Sequence, residues 1–226
     1  MCRKKSGVAV KSGDDVVVYT IPGNDSHSDI REKHNLRDDA SLMARYQTPV
    51  EFVPVRGLFD IADYEFAFDE SQPEWWTDKM TESAKKQLFR AAMDEWDGKT
   101  LKSDKDIDLS SLTSISEGVT LKAGGDIYLD SLTSISEGVT LEAGWYINLN
   151  SLTSISEGVT LKAGWGINLS SLTSIPEGVT LKAGGDINLS SLTSISEGVT
   201  LEAGGGIYAI GKWWNDADAL RKAMKG

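Results

Sequence analysis

The sequence predicts a mainly β fold: a parallel β-solenoid of 20-residue coils, joined to a small N-terminal α+β domain and closed by helical caps. Two observations lead there. One 20-residue unit recurs five times from Ser111 to Ile210, reading SLTSISEGVTLKAGGDIYLD in its first copy and changing little thereafter. A fixed period of this length marks an array in which each coil buries its apolar face against its neighbours. Within the unit, Val119/Leu121 and Ile127/Leu129 are spaced by two, which turns both members of a pair to one face of a strand.

The remaining positions of the unit fit the same coil. Glu117-Gly118 and Gly124-Gly125 are turn signals on either side of the first strand. Leu112 and Ile115 suit a bent connector with no room for a helix, and Thr120 and Tyr128 point outward. A worn copy precedes the array, since Gly98-Lys99-Thr100-Leu101 aligns with Gly118 to Leu121 and Asp106 to Leu109 with Asp126 to Leu129. The solenoid is therefore expected over residues 97–210, its coils stacked at roughly 4.8 Å. Its two ends expose apolar surface and need caps. Thr77 to Trp96 reads as an amphipathic capping helix with Met80, Ala84, Leu88, Ala92 and Trp96 on one stripe. Residues 211–226 are expected to form a C-terminal helical cap: Asn215 to Lys225 carries acids early and bases late, with Trp213 and Trp214 over the last coil. Residues 1–76 are read as the small α+β domain, with strands at Val8–Val10, Val16–Ile21, Val50–Val55 and Tyr64–Phe68.

The string IPEGVTLKAGGDINLSSLTSI and its neighbours resemble the short bacterial and phage leucine-rich repeats of LPEGLT type. Asp186 to Ser190 then corresponds to that family's LxL strand, and Ile175-Pro176-Glu177-Gly178 to its LPEG turn. The resemblance covers about residues 97–210. It implies a leucine-rich-repeat-like solenoid, a small non-enzymatic protein and a phage or prophage origin. The chain departs from the pattern in carrying Ser for Pro in four of five turns, and a second extended segment where longer repeats have a helix. These departures allow closure in the manner of a β-helix as an alternative to an open horseshoe.

Composition narrows the function classes. The formal net charge is −11, and residues 97–210 hold 6 basic against 14 acidic residues. Direct nucleic-acid binding is disfavoured, because it needs clustered Lys and Arg. Cys2 is the single cysteine, which excludes an internal disulfide and a zinc cluster. No apolar run reaches membrane-helix length, and Arg3-Lys4-Lys5 leads into too short an apolar stretch for a signal peptide, so a cytoplasmic protein is expected. There is no phosphate loop and no nucleophile elbow, and neither an enzyme nor a cofactor is expected. His27, Asp29, His34 and Asp38/Asp39 are the one grouping with ligand chemistry; solvated loop residues are the plainer reading, and no metal is expected.

The positions that vary between copies are the informative ones. Tyr128, Trp145, Tyr146, Asn148, Trp165 and Asn168 are expected to form an aromatic, polar-edged partner-binding patch, the composition of interface hot spots. Indole stacking and an asparagine ladder are the plainer explanation of the same columns. Glu117, Glu137, Glu157, Glu177 and Glu197 make an acidic column, one carboxylate per coil, able to imitate a phosphate row and occupy a basic channel; a solvated turn is the alternative. The column Lys122, Glu142, Lys162, Lys182, Glu202 alternates in places as cross-strand pairing favours. The single threonine column beginning at Thr120 is too narrow and too closely flanked by charge to bind ice. The expected function is inhibition of a host protein, a nucleic-acid enzyme or defence complex. A scaffolding module and a carbohydrate-acting protein using Trp145 and Trp165 are the rivals, and end-to-end homodimers are allowed by exposed edge strands.

Overall fold

The computed structural model describes residues 5–36 and 46–224. Cys2, Arg3, Lys4, Asp38, Asp39 and Lys225, all named above, lie outside them. The chain divides into two units: residues 1–54 with 59–97, and residues 55–58 with 98–226.

The first unit is a four-stranded antiparallel sheet with two helices. Strands β1 (Lys5–Ser12), β2 (Asp15–Tyr19), β3 (Gln47–Pro54) and β4 (Tyr64–Phe68) lie in the order β2-β1-β3-β4. Helix α2 (Asp78–Met93) is started by Thr77, whose hydroxyl accepts from the Met80 N–H. Its stripe of Met80, Ala84 and Leu88 is fully buried in one core with Ala9, Val16, Val50 and Phe52 of the sheet. Gln87 of α2 also serves the edge strand: its Oε1 accepts from the Val18 N–H and its Nε2 donates to the Val16 carbonyl, both at 2.9 Å. Backbone groups that would otherwise lie unpaired along β2 are thereby satisfied.

The polar stretch from Asn24, read from sequence as a loop, contains helix α1 (His27–Lys33). Ser26 caps it by accepting from the Asp29 N–H, Ile30 is fully buried, and Arg31 and Lys33 stand in its last turn. A single apolar anchor gives no periodic signal, which is why the pattern hid it.

The second unit is a parallel β-solenoid. Six strands (Thr100–Ser103, Thr120–Ala123, Thr140–Ala143, Thr160–Ala163, Thr180–Ala183 and Thr200–Ala203) form its first ladder. Register advances by one repeat per coil, with Leu121, Leu141, Leu161, Leu181 and Leu201 as successive partners. A second ladder runs through Ile107, Ile127, Ile147, Ile167, Ile187 and Ile207. Val119, Leu121, Ile127, Leu129, Leu132 and Ile135 are all buried, so every segment of a coil contributes to one apolar interior. Each such aliphatic contributes about 1.5–3 kcal/mol on burial.

The connector expected between Leu112 and Ile115 takes extended form in later coils. It pairs Ser134–Ile135 with Ser154–Ile155, and Ser174–Ile175 with Ser194–Ile195. This third ladder is interrupted between its two pairs, and Pro176 explains the break. The Ser156 N–H donates to the Ile135 carbonyl and the Ser196 N–H to the Ile175 carbonyl, whereas Pro176, in the equivalent position, has no N–H for Ile155.

Two glycine columns are required by this geometry. Gly118, Gly138, Gly158, Gly178 and Gly198 all have φ between 68° and 78°, where an L side chain is disfavoured. Gly124, Gly144, Gly164, Gly184 and Gly204 sit so close to the preceding coil that a Cβ would strike its carbonyl oxygen.

At each end of the solenoid a segment outside the repeats, from the same unit, bonds to a coil. At the first coils, the Thr113 N–H and Oγ1 donate to the Val55 carbonyl at 3.0 and 2.8 Å, and Ser114 Oγ donates to the Arg56 carbonyl. At the last coil, Lys212–Trp214 returns antiparallel along Ile207–Ala209 through a two-residue turn, Ile210-Gly211, with φ of 46° and 76°. Helix α3 (Ala217–Met224) then buries Leu220, and Arg221 donates to the Val199 carbonyl. Residues 211–224 thus contribute a strand as well as a helix. Trp213 and Trp214 belong to that strand: Trp213 is exposed and meets the Tyr208 ring edge-on, and Trp214 Nε1 donates to the Ala209 carbonyl.

Candidate functional site

The six residues of the expected partner patch come together on adjacent coils, at the exit of the first ladder and along the second. Trp145 and Trp165 occupy the same corner of neighbouring coils, joined through the Trp165 N–H and the Trp145 carbonyl at 2.9 Å. Their side chains are 59% and 62% exposed, and Tyr146 is 45% exposed. No ring contact joins the two indoles among the described residues. Tyr128, Asn148 and Asn168 follow one another in the outward position of the second ladder and are half-buried. The asparagine ladder is present in part: Asn188 Nδ2 donates to Asn168 Oδ1 at 3.4 Å.

Two residues of the variable columns that the sequence reading did not place in the patch, one of them assigned to the acidic rod, hold it in shape. Asp126 Oδ1 accepts from the Tyr146 N–H and its Oδ2 accepts from the Tyr128 hydroxyl, each at 2.8 Å. One carboxylate therefore fixes the backbone of one tyrosine and the phenol of the other. The bond to Asp126 pushes the Tyr128 phenol up to about 12, with burial and the charges of Asp126, Asp106 and Asp108 adding to it. Gly166 supplies room: a Cβ there would press on the Tyr146 ring, which lies across it. A Trp-Tyr pair on one coil followed by Trp-Gly on the next is a packing pattern, and only the register between coils reveals it.

All five glutamates of the acidic column are exposed, one per turn. They stand where the chain enters the first ladder, whereas the tryptophans stand where it leaves. The strand of the first ladder, Thr140–Ala143 in the second repeat, lies between the two stripes on each coil. The aromatic patch and the acidic column are therefore two surfaces, with the outer face of the first ladder between them. That face is paired and carries more lysine than glutamate: Glu142 Oε2 lies 2.6 Å from Lys122 and its Oε1 3.3 Å from Lys162, while Lys182 lies 2.9 Å from Glu202. The hydrogen bond from Lys122, with that from Lys162 adding to it, holds the Glu142 carboxyl below the usual carboxylate range. The aspartates near the array's start are spent on structure. Asp106 accepts from the Asp126 N–H, and Asp108 from the Ser110 N–H and hydroxyl.

The grouping of His27, Asp29 and His34 is not assembled. His34 Nε2 faces the Thr20 carbonyl at 3.1 Å with its ring against Tyr19, and Asp29 accepts from Asn24 Nδ2. His27 instead meets Asp69, with Nδ1 3.2 Å from Oδ2. Among the described residues, no helix is long and apolar enough to cross a membrane.

Compared with family models, curated proteins and solved structures, the chain finds no match. The class defined by fold and surface is a capped parallel β-solenoid with an exposed aromatic corner.

Proposed function

We propose that this solenoid is a non-catalytic protein-binding module whose aromatic corner docks on a host protein. The supporting observation is the pair of unstacked indoles, each more than half exposed, on consecutive coils with Tyr146 beside them. Rigid aromatic side chains on an ordered scaffold give large contact area at low entropic cost, the property that concentrates binding energy in Trp and Tyr. The second stripe, Glu117 to Glu197, adds long-range attraction toward a basic surface and speeds encounter more than it strengthens the bound state.

In its most specific form, the target is a nucleic-acid enzyme or defence complex. The acidic column faces its basic groove, and the protein is a phage- or prophage-encoded inhibitor acting in the host cytosol. The origin rests on the resemblance of the repeat alone.

The test is affinity of a captured host partner for the wild type, for Trp145→Ala/Trp165→Ala, and for a variant with all five column glutamates changed to Gln. The tryptophan variant is expected to bind roughly 30-fold or more weakly. The glutamine variant is expected to lose salt dependence and association rate. A partner that binds both variants like the wild type contradicts the proposal. A quenching of tryptophan fluorescence by oligosaccharides, with no protein partner, favours the carbohydrate-acting alternative.

A further inference from the structure

In the first unit, three elements converge on one point that the solenoid's function does not involve. His27 opens helix α1, Glu51 lies in β3, and Asp69 follows β4, anchored there by its N–H on the Pro49 carbonyl at 3.2 Å. One ligand atom from each, a ring nitrogen and two carboxylate oxygens, lie within 4.8 Å of one another. His27 and Glu51 are partly buried and Asp69 is exposed, so the point opens to solvent on one side.

The histidine sets the chemistry. Its Nε2 faces the Val50 carbonyl at 3.4 Å and its Nδ1 faces Asp69 Oδ2 at 3.2 Å. Both ring nitrogens thus confront oxygen acceptors. A neutral imidazole carries one N–H, so one nitrogen then turns a lone pair toward an oxygen. With Nε2–H on Val50, that lone pair is on Nδ1, facing Asp69 Oδ2. This is the arrangement of a metal-ligating histidine whose other ring N–H is held by a backbone carbonyl. A divalent cation at Nδ1 takes up that lone pair and places positive charge beside Asp69.

We infer that His27, Glu51 and Asp69 form a binding site for a divalent cation of the zinc type, with water completing the coordination. Bonds of about 2.0–2.2 Å to nitrogen and oxygen place tetrahedral ligands about 3.4 Å apart. The three ligand atoms lie within 4.8 Å of one another, and His27 Nδ1 and Asp69 Oδ2, at 3.2 Å, already stand near that spacing. Imidazole with carboxylates suits zinc and its first-row neighbours over magnesium or calcium.

The test is calorimetric titration of Zn2+ into the full chain, without an affinity tag. Wild type and His34→Ala are expected to bind one equivalent with the same affinity. Asp69→Asn and Glu51→Gln are each expected to weaken binding roughly tenfold or more, with unchanged far-ultraviolet circular dichroism. The His27 ring resonances are expected to shift on zinc addition. Absence of binding overturns the inference, as does zinc affinity indifferent to both carboxylate variants. So do His27 ring resonances that stay unchanged on zinc addition.

Discussion

Asp126 shows how one side chain ties the corner together, because its two oxygens serve Tyr146 on the next coil and Tyr128 on its own. The Tyr128 phenol stands above its ordinary value of 10.0, at about 12. The stabilisation from this bond is fully present below about pH 10 and is lost as pH rises through about 12. In Asp126→Ala, Tyr128 is expected to ionise closer to 10, read by absorbance near 295 nm against wild type. An unchanged titration contradicts the bond. The six patch residues were legible from sequence as the variable positions of an otherwise constant unit. Asp126 and Gly166 stood among the variable positions too, but their part in the patch was not legible, since a hydrogen bond to the next coil and a ring lying over a glycine depend on register and close approach rather than on residue type.

At the scale of the element, the period of two within a unit and the glycine pairs around it were enough to place both main ladders. The third ladder was hidden because its strands are two residues long and broken by Pro176. The amphipathic stripe of α2 was equally legible, but not what it covers. A stripe states that a partner exists, and the partner of Met80, Ala84 and Leu88 is the antiparallel sheet. The inner glycine column sets the spacing of the first ladder, so Gly164→Ala is expected to force the coil away from Gly144 at about 1–3 kcal/mol. Urea unfolding is expected to show a lower midpoint and, because coils contact only their neighbours, a loss of cooperativity at that junction. A midpoint equal to wild type contradicts the close approach.

For the molecule as a whole, charge and repetition have separate roles. The net charge of −11 includes the five exposed turn glutamates of the solenoid, while the outward face of the first ladder pairs Lys122, Lys162 and Lys182 with Glu142 and Glu202. Repetition supplies an interior of identical layers, and the ends are finished by unlike devices: the Val55–Leu58 segment at the first coils, a returning strand and helix α3 at the last. Every proposed contact surface of the solenoid depends on consecutive units stacking in register. That register is measured most directly by electron spin resonance on a Cys2→Ser chain labelled at Lys102→Cys and Lys182→Cys. These positions lie four coils apart on one ladder face. The fold predicts a narrow distance distribution centred at roughly 20 Å. A broad distribution, or one centred beyond about 30 Å, contradicts the stack and every surface built on it.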